Sequence, residues 1–566
     1  MNQAKLTRIQ QISVVVIVLI AIMIRFIHLG SHPLSETEAE LALQALATSN
    51  GSPVQWSGEA LYLAFTSGIF SLFDQTNFTA RLIPALFGVL FVFSPFLFRR
   101  TLGNTVTILL CTFLSLDPAM VSLSRTAGGA LVTLFVLTAA FHFLWKGKPI
   151  FSGILCGMTL LSGSGVWSVL IPLTIAILIW VIIYRKNWYF AAESFDPVIK
   201  TVRERSFGIA LILSIVIIGT AWFIFPRSLS ALTSSIPDYL RLWKEQGSLT
   251  FPLFSLGMLI YFPLGLILGI WGGVRGILQK DKPRIYLFIW FLSGMVLVFA
   301  SPARDLTQVI WVSVPLYLLA AQELSLHFNT EQGDLIPSIG IAALVFIMIA
   351  FLWLSFGRIT YGGDQKELLI AVGAGIGILL LSGILIVLGW SAKIAGKGIL
   401  WGMLGVFAIY LFSTAWRVSG ISMLGQTEMI GPERSLTQMA LMDKTISELS
   451  NWTAGSSKGI QVSVIGLNSK ALEWGLKDYL NTNFRMDIPG DEHPPIVIAA
   501  KDEPFNFQDR YRGQDFEFES SVDWQSFRPM DWISWLVHRK TATINSAIVL
   551  WARADLFPGG AVIPLQ

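Results

Sequence analysis

Cysteine is almost absent. The 566 residues contain two, Cys111 and Cys156. Both lie in apolar stretches, so the chain has neither a disulfide framework nor a thiolate metal site. Charge is also scarce: Asp, Glu, Lys and Arg make up 13% of the residues, against roughly 25% in soluble domains. The net charge is only +4. There is no basic block and no nucleic-acid-binding motif, so nucleic acid is not an expected partner. No residues are assigned as metal ligands, and there is no fixed-period repeat or low-complexity tract. Hydrophobic residues, in contrast, reach 54%, and mean hydropathy is +0.64.

Apolar runs of about 17 to 24 residues recur through the first 415 positions, the mark of a polytopic α-helical membrane protein. The first run, 11–29, is too long for the apolar core of a signal peptide and has no small-residue cleavage site. It reads as an uncleaved membrane helix. Lys5 and Arg8 before it favour a cytoplasmic N-terminus. The run 60–73 has 14 residues, about 21 Å as a helix against a hydrocarbon core of about 30 Å. It reads as a helix lying on the surface. With it left out, most lysines and arginines between the spans fall on the inner side; with it spanning, that bias reverses. The expected spans are 11–29, 82–98, 104–120, 128–145, 149–163, 166–184, 206–226, 251–274, 285–300, 307–323, 335–356, 367–390 and 398–414. That gives about 13 helices, N-terminus in and C-terminus out, in a plasma membrane.

The composition changes near Arg417, where charges, Asn, Asp and Pro become common. Residues 1–415 therefore read as a transmembrane domain, and 416–566 as a small α/β domain outside the cytoplasm. Short apolar runs at 459–466, 495–500 and 547–552 read as strands, and 469–480 as a helix.

The polar interest lies in 30–50, directly after the first helix. Ser35 and Glu38 have capping-box spacing, which predicts a helix start. Leu41, Ala42, Ala45 and Leu46 give that helix an apolar stripe suited to a membrane surface. Glu36, Glu38 and Glu40 share one side of the membrane with His32, Arg81, Arg125, Ser164, 227–249 and Arg304–Asp305. A carboxylate can take a proton from an acceptor hydroxyl, and an arginine can hold a departing phosphate. Each also has a plain structural role open to it. Glu38 completes the capping box, Glu36 sits in a first helical turn where the dipole favours it, and Arg25 near the end of helix 1 can snorkel to a headgroup.

Several patterns resemble the GT-C membrane glycosyltransferases, in the branch of protein O-mannosyltransferases and lipid A aminoarabinose transferases. They are 25–46 as a first outer loop, Glu59 to Asp74 as a surface helix, Ala80-Arg81-Leu82-Ile83-Pro84 opening the next span, Arg99–Gly103, Asp117–Arg125, Ser301–Pro315, and Trp474–Tyr479 with Trp532–Trp535 in the tail. The resemblance implies a fold with a C-terminal outer domain. It also implies transfer of a sugar from a polyprenyl-phosphate carrier to a protein, lipid or glycan acceptor.

On that resemblance Glu36 is the base and Glu38 its support. Arg81, Arg125, Arg304, His32 and Ser164 bind substrate or phosphate, and membrane lipids surround the site. No cofactor is firmly implied, and a divalent metal is left open. The chain departs from the pattern in three places. The Asp-Glu pair of the first loop is not intact, Gly128-Gly129 stand where an acid is expected after Arg125, and Ser164 stands where a lysine is common. A second reading is therefore a catalytically degenerate relative that binds a lipid-linked glycan or partner. A third is a transporter or flippase, against which the near absence of charge within the spans argues.

Overall fold

The computed structural model describes residues 6–184, 188–328, 335–359, 365–389, 392–421, 428–431, 434–487, 492–501, 510–539 and 541–557. It is a polytopic helical membrane protein with a small sheet domain at its C-terminal end. Among the described residues six helices are long and apolar enough to cross a membrane: Arg8–Phe26 (α1), Asn77–Leu102, Gly165–Ile183, Lys282–Ala300, Ile336–Ser355 and Ile394–Val418. The number rises to eight if each of two bent pairs forms one span. Asn104–Leu116 and Pro118–Ser124 meet at 62°, and Phe251–Tyr261 and Pro263–Leu278 at 90°. The 13 spans expected from sequence also draw on shorter apolar helices that this length criterion leaves out. Among these shorter apolar helices are Ala130–Trp145, Pro149–Leu160 and Arg205–Gly219.

Proline accounts for both bends, because it has no N–H to continue the ladder. At the first bend the freed carbonyls find an unusual donor. Arg25, fully buried in α1, gives Nη1 to Ser115 O (3.2 Å) and Nη2 to Leu114 O (3.2 Å). The expected snorkelling of Arg25 is therefore corrected: an unpaired carbonyl in apolar surroundings is the stronger attractor. The spans are also less bare of charge than expected, since Asp117 and Glu323 are buried among them as well. Asp117 accepts from the Tyr317 hydroxyl and from Met120 N. Glu323 is paired with Arg275 and Arg284.

The loop after α1 holds two helices, Glu36–Ser49 (α2) and Ala60–Leu72 (α3), before Asn77–Phe93 (α4). The capping box at Ser35 and Glu38 is present. The buried face of α2 differs from the expected one. It runs through Glu38, Ala39, Ala42, Ala45 and Thr48, while Leu41 and Leu46 are only half-buried. The small residues let α2 pack closely on α3 and on the tail helix Lys470–Gly475 instead of lying on lipid.

The tail is one mixed sheet of β1 (Arg434–Ser435), β2 (Val462–Ile465), β3 (Thr482–Arg485), β4 (Ile496–Ala500), β5 (Tyr511–Ser521) and β6 (Ile544–Arg553), in the order β1-β5-β6-β4-β2-β3. β2 runs parallel to β3 and β4, while β4, β6 and β5 are antiparallel neighbours. The unbroken apolar runs of β2 and β4 suit strands covered on both faces, and both are buried. The helix expected over 469–480 stops at Gly475.

Candidate active site

Glu38 and Arg81 form the centre of the polar region. Arg81 Nε and Nη2 each lie 2.8 Å from Glu38, on Oε1 and Oε2 respectively. Glu38 also accepts from Ala127 N at 2.7 Å and Ser35 N at 3.0 Å. Burial alone would raise the Glu38 carboxyl. The Arg81 charge and hydrogen bonds, with the two backbone N–H groups, hold it below the ordinary value.

The other Arg81 donors reach Leu29 O, His32 O and Pro33 O. The guanidinium thus makes five hydrogen bonds with its five N–H groups. None is left for a phosphate.

Arg125 does similar work on α1. Its Nη1 donates to Ile24 O (2.9 Å) and Arg25 O (3.1 Å), and its Nη2 to His28 O (3.2 Å). These are carbonyls that a helix end leaves without partners. His32 Nε2 lies 2.9 Å from Gly420 O, where the last membrane helix ends. Arg81, Arg125 and His32 are therefore brought together around one loop, which they hold in place.

Glu36 points the other way, into the tail domain. Its Oε1 accepts from the Ser469 hydroxyl, and its Oε2 from Lys470 N (2.7 Å) and Ala471 N (3.2 Å). A carboxylate at a helix N-terminus meets free N–H groups and the positive end of the dipole. Beside it, Trp474 Nε1 donates to Asn77 Oδ1 at 2.8 Å, and its ring stacks on Phe70. Both glutamates expected to carry chemistry are thus fully engaged, one with arginine and one with the tail.

A carboxylate that the sequence reading passed over lies next to them. Glu59 stands at the N-cap position of α3, where its side chain makes no capping hydrogen bond, and is half-buried. Its Oε2 accepts from Gly129 N at 2.8 Å, two residues beyond the Ala127 N–H that Glu38 holds. Gly128, Gly129 and Gly163 surround it, so closely that a Cβ on Gly163 would lie 3.2 Å from Glu59 Cγ. Asp238, on the helix Ala231–Arg241, lies against Gly58. Burial pushes the Glu59 carboxyl up to about 7, against the Gly129 hydrogen bond and with the help of the Asp238 charge. The available signal was a lone Glu at the mouth of an apolar helix, together with glycines at 128 and 129.

Ser164 follows Gly163 and opens the helix Gly165–Ile183, with Trp311 packed against Gly165. Arg304 belongs to a different neighbourhood, against Gly247. It gives Nη1 to Phe299 O at 2.9 Å, and its buried Nε has no partner among the described residues.

Trp311 also links two spaces. Below it is an apolar cavity of ≈710 Å³ between membrane helices, with Leu134, Val169, Trp290 and Lys282 in its wall. A smaller pocket that Trp311 also lines has Tyr239, Ser301 and Gln308 in its wall. Among the described residues no three His, Cys, Asp or Glu side chains gather as a metal centre.

By sequence the chain matches no protein-family model and no curated protein. By fold it is similar to the crystal structure of ArnT from Cupriavidus metallidurans bound to undecaprenyl phosphate. The TM-score is 0.56 at 14% identity, covering 96% of this chain and 98% of that one. The apo form of the same protein gives a TM-score of 0.55 at the same identity and coverage. What is shared at this identity is the fold.

Proposed function

We propose that this chain is a membrane glycosyltransferase that takes a sugar from a polyprenyl-phosphate carrier and places it on an acceptor at the end of the bundle facing the tail domain. The observation that carries this reading is the apolar cavity walled by Trp311, which also walls a small pocket beside the Arg304 loop that Ser301 and Gln308 line. An isoprenoid chain needs a long apolar volume, and its phosphate needs donors at one end of it. Arg304, beside that pocket, has a buried Nε without a hydrogen-bond partner among the described residues and so a donor to spare. The ArnT structure that this chain resembles holds undecaprenyl phosphate, which supports the same choice of carrier. In this reading Glu36, Glu38, Arg81, Arg125 and His32 shape the loop above the site, with the tail domain on the extracytoplasmic side.

The test is turnover by the purified full chain of a panel of undecaprenyl-phosphate-linked hexoses and pentoses, with envelope extract as acceptor and release of undecaprenyl phosphate as the readout. Release above that of an Arg304→Ala variant supports the reading. No release from any donor removes it.

A second reading, a silent binder of a lipid-linked glycan, is favoured by the engagement of both Glu36 and Glu38. It is the outcome in which undecaprenyl phosphate binds but no donor turns over. Transport has less support, because the buried charges Arg25, Asp117 and Glu323 are tied to fixed partners.

A further inference from the structure

Glu38 spends both oxygens on Arg81 and the backbone, and Glu36 spends both on the tail helix. Glu59 differs. One oxygen is fixed by Gly129 N. The other, Oε1, has no hydrogen-bond partner among the described residues, and it is not sealed from solvent. Glycines at 58, 128, 129 and 163 add no side chain of their own around this carboxylate, and a Cβ at 129 would lie 3.5 Å from Oε2.

Two ionisable side chains face Glu59. Asp238 approaches from the helix beyond Gly58, itself 3.4 Å from Arg241, and Tyr62 lies one turn along α3. The segments 127–129 and 162–165 bring no charged side chain against it. The same 127–129 segment joins this carboxylate to the Glu38–Arg81 pair.

We propose that Glu59 is the group that takes the proton of the acceptor hydroxyl during sugar transfer. The proposal rests on the transferase reading above. The acceptor O–H bond breaks, and the oxygen's electron pair forms the new bond to the anomeric carbon. The bond from that carbon to the phosphate oxygen breaks, with its electrons leaving on the polyprenyl phosphate. The proton goes to Glu59 Oε1. A carboxylate poised near the working pH, with one oxygen held and the other open, has both the geometry and the basicity that such a step needs.

The experiment uses the full chain in detergent with the undecaprenyl-phosphate-linked sugar panel. Wild type, Glu59→Gln and Glu59→Asp are compared for release of undecaprenyl phosphate across pH 5.5 to 9. Undecaprenyl phosphate binding is measured alongside by thermal shift. Glu59→Gln keeps an oxygen for the Gly129 N–H, so it is expected to bind undecaprenyl phosphate as wild type does while losing about 100-fold or more in turnover. Wild-type turnover is expected to rise through pH of about 7. Glu59→Asp is expected to keep that rise at a reduced rate, and Glu59→Gln to lose it.

Wild-type turnover that survives Glu59→Gln within a few fold overturns the proposal and leaves the transferase reading standing. Loss of undecaprenyl phosphate binding in Glu59→Gln overturns it in favour of a structural role. No turnover by wild type removes the transferase reading, and this proposal with it.

Discussion

Arg81 meets Glu38 side-on, Nε to Oε1 and Nη2 to Oε2, each at 2.8 Å, across 43 residues of chain and out of water. The pair fixes the loop between α1 and α2, because the remaining Arg81 donors close on the carbonyls of Leu29, His32 and Pro33. Removing one partner leaves the other charged and buried, which costs about 3–5 kcal/mol. Glu38→Gln and Arg81→Met are each expected to lower the unfolding midpoint, and the double variant to cost clearly less than their sum. Thermal unfolding in detergent, run as a double-mutant cycle, measures this. Additive losses would mean that the two side chains do not act as one unit.

Two carboxylates respond to pH in opposite directions. The Glu38 carboxyl is held below its unfolded value, so its stabilising contribution is present above the ordinary carboxylate range and is lost as pH falls through the folded value. The Glu59 carboxyl is raised to about 7, so its contribution is complete below the ordinary range and is lost as pH rises through about 7. Unfolding midpoints taken from pH 5 to 8.5 should decline for wild type and flatten for Glu59→Gln. Identical slopes would contradict the raised value.

Glu36 holds the tail domain to the membrane domain. Its two backbone hydrogen bonds at the N-terminus of Lys470–Gly475 are charge-assisted, a type worth about 1.5–3 kcal/mol net. Glu36→Ala is expected to raise amide exchange over 469–475, with little change in the helices Gly165–Ile183 and Lys282–Ala300. Unchanged exchange at 469–475 would remove the anchoring role.

Arg25 serves the break at Asp117–Pro118. Arg25→Met keeps the length of the side chain but deprives Leu114 O and Ser115 O of their donors. Each buried group left unsatisfied costs about 1–3 kcal/mol, so a marked loss of folded yield is expected. Wild-type yield and midpoint would show that the two carbonyls find other donors.

Much of the fold was legible in the sequence because it follows from local pattern. The apolar runs, the Ser35–Glu38 capping box, the short α3 and the strands β2, β4 and β6 each depend on a handful of neighbouring residues. Helix ends were less legible: Ala130–Trp145 and Pro149–Leu160 fall two or three residues short of the apolar runs that suggested them. β5 escaped notice, since its Gln514, Asp515, Glu517 and Glu519 hide a strand paired along β6. In the site, the residue types in the first loop were legible but their partners were not. Glu36 meets residues more than 430 positions away, and Arg25 reaches across 89 and 90 positions. Glu59 was hidden for a related reason. Gly128 and Gly129 read as missing charge in sequence, while in space they are the room that a carboxylate from another element uses.

The apolar cavity can be closed by design. Leu137 lines it and is only half-buried, so Leu137→Trp adds bulk inside the cavity without displacing a core side chain. Undecaprenyl phosphate affinity is expected to fall about tenfold, roughly 1.4 kcal/mol, with the unfolding midpoint of the lipid-free protein little changed. Equal affinity would place the lipid elsewhere.

The most direct measurement is a cryo-electron microscopy structure of the full chain with undecaprenyl phosphate. Continuous density for the isoprenoid chain is expected in the cavity below Trp311, with the phosphate within hydrogen-bonding distance of Arg304. An empty cavity, with the lipid bound on another face or not at all, would contradict it.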